Sequence, residues 1–198
     1  LRASVEWSLA LLDTRERVLL RRLGVFRGGW TLAAAEAVCA GEDLLQDEVL
    51  DVLSSLVDKS LVNVEHAGAL VRYRFLETMR QAAAEQLAAS GEAQALADRH
   101  RDVLLAMAEH AASRMMEPDG RAWLDVLDPE AANLAAALDR AVASDATVAL
   151  RLCAALTFWW KLRGRFAGAE EALSRALAAA EAAPSRLRAR VLWARAYL

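Results

Sequence analysis

Residues that break helices or cross-link chains are scarce in this sequence. Its 198 residues include only 2 cysteines, 3 prolines and 9 glycines, whereas 56% are hydrophobic. Because proline and glycine are the strongest helix breakers, this composition predicts a mostly α-helical protein with a buried core. Cys39 and Cys153 lie far apart in apolar stretches, which indicates reduced core thiols rather than a disulfide framework.

Excess positive charge and long apolar runs are missing as well. The formal net charge is −3, so the sequence lacks the basic excess that usually marks nucleic-acid binding. No apolar run reaches the roughly 18 residues of a membrane span, and no secretory signal peptide is recognisable. We therefore expect a cytoplasmic protein that does not bind a membrane. Since the sequence begins at Leu1 without methionine and ends within a helical pattern, we also expect it to be a piece of a longer protein.

Signatures of catalysis and of metal binding are absent from the sequence. It contains no G-x-x-x-x-G-K-[ST] phosphate loop, no G-x-S-x-G motif and no H-E-x-x-H motif. Its three histidines lack metal-ligand spacing, and His100 lies on an apolar helix face, where a packing role is expected. The sequence therefore predicts a segment that is not an enzyme and that holds no cofactor of its own.

The first 90 residues have the pattern of a winged helix. Asp13 followed by Glu16 resembles a capping box that opens a helix, and two further helices are predicted at about 31–40 and 46–58. The alternating stretches 61–65 and 70–75 flank a short glycine-containing loop, which predicts a β-hairpin. Several short helices followed by one hairpin indicate a winged-helix domain at 1–90, with its wing at about 61–75.

The remainder of the sequence predicts helices only. A helical linker or bundle is expected at 91–144, and the start of a tetratricopeptide-like (TPR-like) array at 145–198. One repeat is recognisable between residue 150 and Pro184, and such repeats bury their faces only by stacking on neighbours. The residues expected to pack within this repeat are Leu156, Trp160, Gly164, Phe166, Ala169, Leu173 and Ala176.

Charge placement bears on whether the winged helix reads DNA. Its third helix would enter the major groove, yet it carries the acidic residues Asp47, Glu48, Asp51 and Asp58, which oppose phosphate binding. The candidate DNA contacts instead lie on an earlier helix and on the wing. These candidates are Arg15, Arg22, Arg72 and Arg74.

Several stretches resemble one family in the same order. "LRASVEWSLALLDTRERVLLRRLGVFRGGWTLAAAEAVC", "LVDKSLV", "RYRFLETMRQAAAEQLAASGE" and "NLAAAL" are similar to bacterial signalling regulators of the STAND class, including actinobacterial LuxR and AfsR/SARP types. In that family a nucleotide-binding domain precedes a winged helix and TPR-like helices. The resemblance implies that the winged helix packs on this upstream domain, which would hold the ATP or ADP, and that it does not bind DNA. It also implies a protein or small-molecule effector on the array.

The resemblance implies a candidate site where the wing joins the following helix. Many relatives carry a Met-His-Asp-like motif there, and the matching positions are Phe75, Leu76 and Glu77. Leucine cannot donate a hydrogen bond to a phosphate, so Leu76 would not bind the nucleotide. Contact with the upstream domain would instead be made by Glu77 and Arg80. The alternative is that Glu77 is a first-turn carboxylate favoured by the helix dipole and that Leu76 belongs to the core.

Three functions are open from the sequence. The first is a non-catalytic regulatory segment that couples a TPR-like sensor array to an upstream ATPase domain in a transcriptional regulator. The second is a DNA-binding winged-helix transcription factor domain with a helical tail for dimerisation or effector binding. The third is a purely structural TPR scaffold, which leaves the winged helix unexplained.

Overall fold

The protein is described from a computed structural model that covers residues 7–67, 70–115, 117–118, 120–181 and 185–198. Most of these residues are helical, and one antiparallel hairpin is present among them, as the sequence predicts. The chain divides into two compact units, residues 1–100 and 101–198. The predicted domain boundaries near residues 90 and 144 remain predictions. Among the described residues, no helix is long and apolar enough to cross a membrane.

The first unit contains a helical group, a wing and a following helix. Residues 7–10 are helical, and the later elements are α1 (Thr14–Leu23), α2 (Leu32–Cys39), α3 (Val49–Asp58), β1 (Asn63–Ala67), β2 (Leu70–Arg74), α4 (Glu77–Ser90) and α5 (Ala93–Arg114). A 3₁₀ turn at Gln46–Glu48 leads into α3. The larger part of α5, residues 101–114, belongs to the second unit.

The start of α1 follows the predicted capping box. The Asp13 side chain accepts a hydrogen bond from the Glu16 amide at 2.9 Å, and the Asp13 amide donates to Glu16 Oε2 at 2.8 Å. Helical periodicity predicts a buried stripe of Val49, Leu53, Leu56 and Val57 on α3; the first three are fully buried, and Val57 is half-buried. Periodicity and local capping therefore place the winged-helix core correctly.

The first strand begins two residues later than predicted. The amides of Leu61 and Val62 donate to the Leu56 carbonyl at 3.0 and 3.3 Å, so these residues close the end of α3 instead of joining the ladder. The ladder then runs from Asn63 opposite Arg74 to Ala67 opposite Leu70. Of the predicted loop at 66–69, His66 and Ala67 belong to β1, whereas residues 68–69 and the repeat-closing Pro184 lie outside the described residues.

The "RGGW" stretch does more than form the turn expected from its glycines. Trp30 and Tyr73 exchange two backbone hydrogen bonds of 2.8 Å, which adds a third short segment to the wing. Gly29 has φ +121°, and a Cβ there would lie 2.8 Å from the Tyr73 carbonyl oxygen, so only glycine fits this close approach. The Trp30 ring packs beside Phe26 and Phe75, with centroids 5.5 and 4.9 Å away.

The second unit is a stack of helices around one apolar core. After α5 come α6 (Ala122–Leu127), a 3₁₀ turn at Asp128–Glu130, α7 (Ala131–Ser144), α8 (Ala146–Leu162), α9 (Phe166–Ala179) and α10 (Ser185–Tyr197). Helix α8 lies against α7, α9 and α10. Asp145 caps α8 by accepting from the amides of Thr147 and Val148 at 2.9 and 3.2 Å.

Both cysteines are buried, as the sequence predicts. Cys39 lies in the first unit and Cys153 in the second, and both have free thiols. Burial raises the pKa of each thiol to about 12. Since the thiolate is the reactive form of cysteine, neither residue is a candidate nucleophile.

Candidate functional site

The outward face of α3 is acidic and apolar. This helix buries its Val49 side, whereas Leu50, Asp51 and Ser54 are exposed, with Asp58 exposed at its end. All ten residues of α3 are described, and none of them is basic. The first cation after the helix, Lys59, forms an ion pair with Glu16. This face therefore offers carboxylates and a leucine where a DNA-reading helix would offer cations.

Exposed apolar side chains adjoin the acidic ones. Leu50 is 45% exposed, and Leu45, just before the 3₁₀ turn, is 56% exposed. Sequence periodicity missed both residues as candidates because it identifies the buried stripe, and Leu50 falls outside that stripe. The wing likewise exposes the apolar residues Val64, Leu70 and Val71. Exposed apolar groups beside polar ones are typical of protein-binding surfaces.

The arginines proposed as DNA contacts divide into two groups. Arg15 and Arg74 have exposed side chains, but each forms an ion pair with a carboxylate, Glu48 at 2.9 Å and Glu65 at 2.8 Å. Arg72 lies in β2 directly opposite Glu65. These wing and α1 arginines are accessible to a phosphate only in competition with neighbouring carboxylates.

Arg22, in contrast, is part of a buried network. Its side chain is 4% exposed, and it donates to Glu92 Oε1 at 3.0 Å and to the Cys39 carbonyl at 3.0 Å. Arg21 donates to the other oxygen of Glu92 at 2.7 Å. Burial alone would raise the pKa of Glu92, but the bonds from Arg22 and Arg21 outweigh it and hold that pKa below its ordinary value. Arg22 therefore fixes the fold and is not available to DNA.

The junction between β2 and α4 places its four candidate residues differently. Phe75 is buried against Trp30, whereas Leu76 is 56% exposed. The alternative in which Leu76 belongs to the core is therefore wrong, because this side chain is exposed where the strand turns into α4. Glu77 accepts two hydrogen bonds from Arg80, at 2.9 and 2.6 Å. The hydrogen bonding from Arg80 holds the pKa of Glu77 below its ordinary value.

Within the segment predicted to be TPR-like, most candidate packing residues are buried. Leu156 and Trp160 on α8 and Ala169, Leu173 and Ala176 on α9 are at most 7% exposed. Gly164 forms the turn with φ +64°. Phe166 is instead 48% exposed, because it is the first residue of α9 and has no preceding helical turn to cover it.

Side chains that could bind a metal ion do not form a cluster in the described part of the chain. There, no group of three or more histidine, cysteine, aspartate or glutamate side chains is arranged to hold a metal ion. The described geometry of the first unit offers three exposed features: the α3 face, the wing and the Glu77–Arg80 pair.

Comparison with protein families identifies the first unit. Residues 12–88 match the family model of a winged helix-turn-helix domain. This match agrees with the helices α1 to α3, the β1–β2 wing and α4. The amino-terminal part of the chain is therefore a winged helix-turn-helix domain.

The similar curated proteins are mycobacterial. The chain is 54% identical over 108 residues to "Putative HTH-type transcriptional regulator Rv0890c" of Mycobacterium tuberculosis and to "Putative HTH-type transcriptional regulator Mb0914c" of Mycobacterium bovis. That match covers 54% of this chain and 12% of each regulator. The "Uncharacterized protein Rv0894" of M. tuberculosis is 47% identical over 100 residues, which are 50% of this chain and 25% of that protein. No solved structure matches significantly.

Proposed function

We propose that this chain, whose residues 12–88 match a winged helix-turn-helix domain, is a non-catalytic regulatory segment of a transcriptional regulator, and that its winged helix binds protein rather than DNA. The observation that carries the proposal is the outward face of α3, where Asp51 and Asp58 flank exposed polar and apolar groups and no basic residue occurs. Phosphate contacts supply most of the affinity of DNA-binding proteins, and this face repels phosphate. Exposed Leu45 and Leu50 favour a protein partner.

The finer part of the proposal concerns the partner of the winged helix. Following the resemblance to STAND-class regulators, that partner is an upstream nucleotide-binding domain of the same protein, with ATP or ADP bound there. The Glu77–Arg80 pair and exposed Leu76 lie together at the start of α4 and would contact that domain. The TPR-like helices would receive the effector, and the winged helix would transmit the signal.

Direct DNA binding by the winged helix is the second candidate function. The match to a winged helix-turn-helix domain and the names of the relatives agree more closely with this candidate than with the ATPase-linked proposal. Those names, however, describe proteins of which the matched region is 12%. The wing arginines Arg72 and Arg74 would then make the phosphate contacts.

DNA binding separates the two candidates directly. We expect the wild-type chain not to bind a fluorescein-labelled mixed-sequence duplex between about 50 and 200 mM salt, measured by fluorescence anisotropy. Reversing two charges near α3, in Asp47→Lys/Asp51→Lys, is expected to create salt-sensitive binding. The control Glu85→Lys/Glu171→Lys changes the net charge equally at exposed sites elsewhere and should not. Wild-type binding that weakens steeply with salt and disappears in Arg72→Gln/Arg74→Gln would establish the DNA-binding candidate instead.

The interdomain role of the junction is tested in the longer protein. Replacing Glu77 and Arg80 together by glutamine removes the bidentate pair at the start of α4. Because allosteric coupling energies correspond to changes of at least about fivefold, we expect basal nucleotide turnover to change by about that factor. Glu85→Gln, an exposed substitution on the same helix, is the control. Turnover equal to wild type in the double variant would remove this role from Glu77 and Arg80.

A further inference from the structure

The second unit contains a groove that the winged helix does not explain. It lies between α7, the end of α8 and the start of α9, and its volume is about 410 Å³. Its lining is mainly apolar and includes Leu134, Leu138, Leu156, Trp160 and Phe166. Small-molecule sites in proteins are concave and mostly apolar, with a few placed polar groups, and their volumes begin at about 300 Å³.

One cationic side chain, that of Arg165, lies at this groove, and a stacking contact holds it in place. Arg165 lies over the ring of Trp159, with its guanidinium carbon 4.7 Å from the ring centroid. The indole of Trp159 is itself fixed, because its Nε1 donates to Asp128 Oδ1 at 2.8 Å. Both Arg165 and Trp159 line the groove. Stacking on an aromatic ring leaves the N–H edge of a guanidinium available to an anion.

The neighbouring arginines are neutralised, whereas Arg165 is not. Arg163 pairs with Asp125 at 2.9 Å and with Asp128 at 2.7 Å, and Arg175 pairs with Asp139 at 2.7 Å. Within the described ranges, no carboxylate pairs with Arg165. A preorganised guanidinium without an internal counterion, beside an apolar groove, is complementary to an anionic group attached to an apolar body.

We infer that this groove binds a small aromatic carboxylate. Its ring would lie against Trp160 and Phe166, and its carboxylate would accept two hydrogen bonds from Arg165. Aromatic side chains favour aromatic ligands through offset or edge-to-face contacts, and the guanidinium fork matches a carboxylate. The inference deepens the proposed function, because it places the effector of the TPR-like segment in this groove, but the binding itself does not depend on what the winged helix contacts.

A pair of probes tests the chemical class of the ligand. We expect 2-naphthoate to bind the full chain with one site by isothermal titration calorimetry, and to shift the indole N–H resonance of Trp159 in NMR spectra. Its neutral counterpart 2-naphthylmethanol should bind at least about tenfold more weakly, because it cannot form the charge-assisted bonds. Absence of naphthoate binding at millimolar concentration, or equal affinity for the two probes, would overturn the inference.

Three variants locate the site. Arg165→Gln should lower naphthoate affinity about tenfold and leave affinity for the alcohol unchanged. Gly168→Leu should weaken both probes, because Gly168 lines the groove and a Cβ added there meets no heavy atom within 4 Å, so the larger side chain narrows the groove without straining α9. Arg175→Gln, which removes an arginine of α9 that does not line the groove, is the matched control.

The results for these variants are decisive in either direction. Circular dichroism that matches wild type excludes misfolding as the cause of any loss. Full naphthoate affinity in Arg165→Gln, or an equal loss in Arg175→Gln, would overturn the assignment of the site. Because these measurements use neither DNA nor nucleotide, their failure is distinguishable from a failure of the proposed function.

Discussion

Replacing Trp30 with alanine is expected to lower the free energy of unfolding of the first unit by about 3–5 kcal/mol. The ring is 1% exposed and lies between Phe26 and Phe75, so its removal leaves a cavity as well as losing apolar burial. The backbone of Trp30 pairs with that of Tyr73, and Trp30→Ala would remove the side chain that packs around this pairing. Amide hydrogen exchange read by mass spectrometry measures the effect unit by unit, with peptides from residues 101–198 as the internal reference.

A second substitution at Trp30 separates packing from hydrogen bonding. The indole Nε1 is buried without a hydrogen-bond acceptor among the described residues. Trp30→Phe keeps one ring and removes this unsatisfied donor, so it should cost clearly less than Trp30→Ala. Trp7→Ala, at a tryptophan that is 68% exposed, should change stability by no more than about 0.5 kcal/mol. A cost for Trp30→Ala as small as that of Trp7→Ala would mean that the ring does not hold the wing.

Glu16→Gln is expected to lower stability by about 1–3 kcal/mol at neutral pH. Glu16 is 3% exposed. Its carboxylate accepts from Ser55 Oγ at 2.6 Å and from the Asp13 amide at 2.8 Å, and it pairs with Lys59. Burial alone would raise its pKa, but the bonds from Lys59, Ser55 and the Asp13 amide outweigh burial and hold the pKa below its ordinary value. The charged form is therefore more stable in the folded protein than in the unfolded chain.

The direction of this pKa shift fixes the pH dependence. A carboxyl group whose pKa is lower in the folded state stabilises it fully above the unfolded pKa, near 4.3, and loses that contribution as the pH falls through the folded pKa. Urea unfolding of wild type should thus show a declining free energy below about pH 4, and Glu16→Gln a shallower decline. Glu85→Gln, at an exposed residue of α4, should retain the wild-type profile. The same decline in Glu16→Gln would assign the acid sensitivity to other carboxylates.

Local patterns in the sequence predicted local structure well. The Asp13–Glu16 cap, the buried stripe of α3 and the existence of one hairpin all follow from spacing over a few residues. Contacts between distant residues were not predictable in this way. The capping pattern identifies Glu16 at the start of α1, but not that Lys59 and Ser55 converge on the same carboxylate. The glycines before Trp30 indicate a turn, but not the pairing of Trp30 with Tyr73.

The candidate sites show the same division. The acidic character of α3 was predictable from the sequence alone, because the charged residues and their positions around the helix can both be read from it. Whether an arginine is buried depends on which distant carboxylate contacts it. Arg22 contacts Glu92 only because the chain runs back along α4. The sequence did not predict Arg165 as a site residue, because it does not show which arginines form ion pairs. Its lack of a counterion is recognisable only once the pairs of Arg163 and Arg175 are known.

The pairing of Glu92 with Arg21 and Arg22 has a consequence for where the winged helix can be cut from its protein. The family match ends at residue 88, four residues before this carboxylate. A domain excised at that point would keep Arg22 in the interior with only its longer pair to Asp43, at 3.5 Å, and would lose its main counterion Glu92. The full loss of the counterion of a buried charge costs about 3–5 kcal/mol, so we expect a cost below that range. The part of the chain needed to keep the winged helix stable thus extends past the family boundary, at least to Glu92.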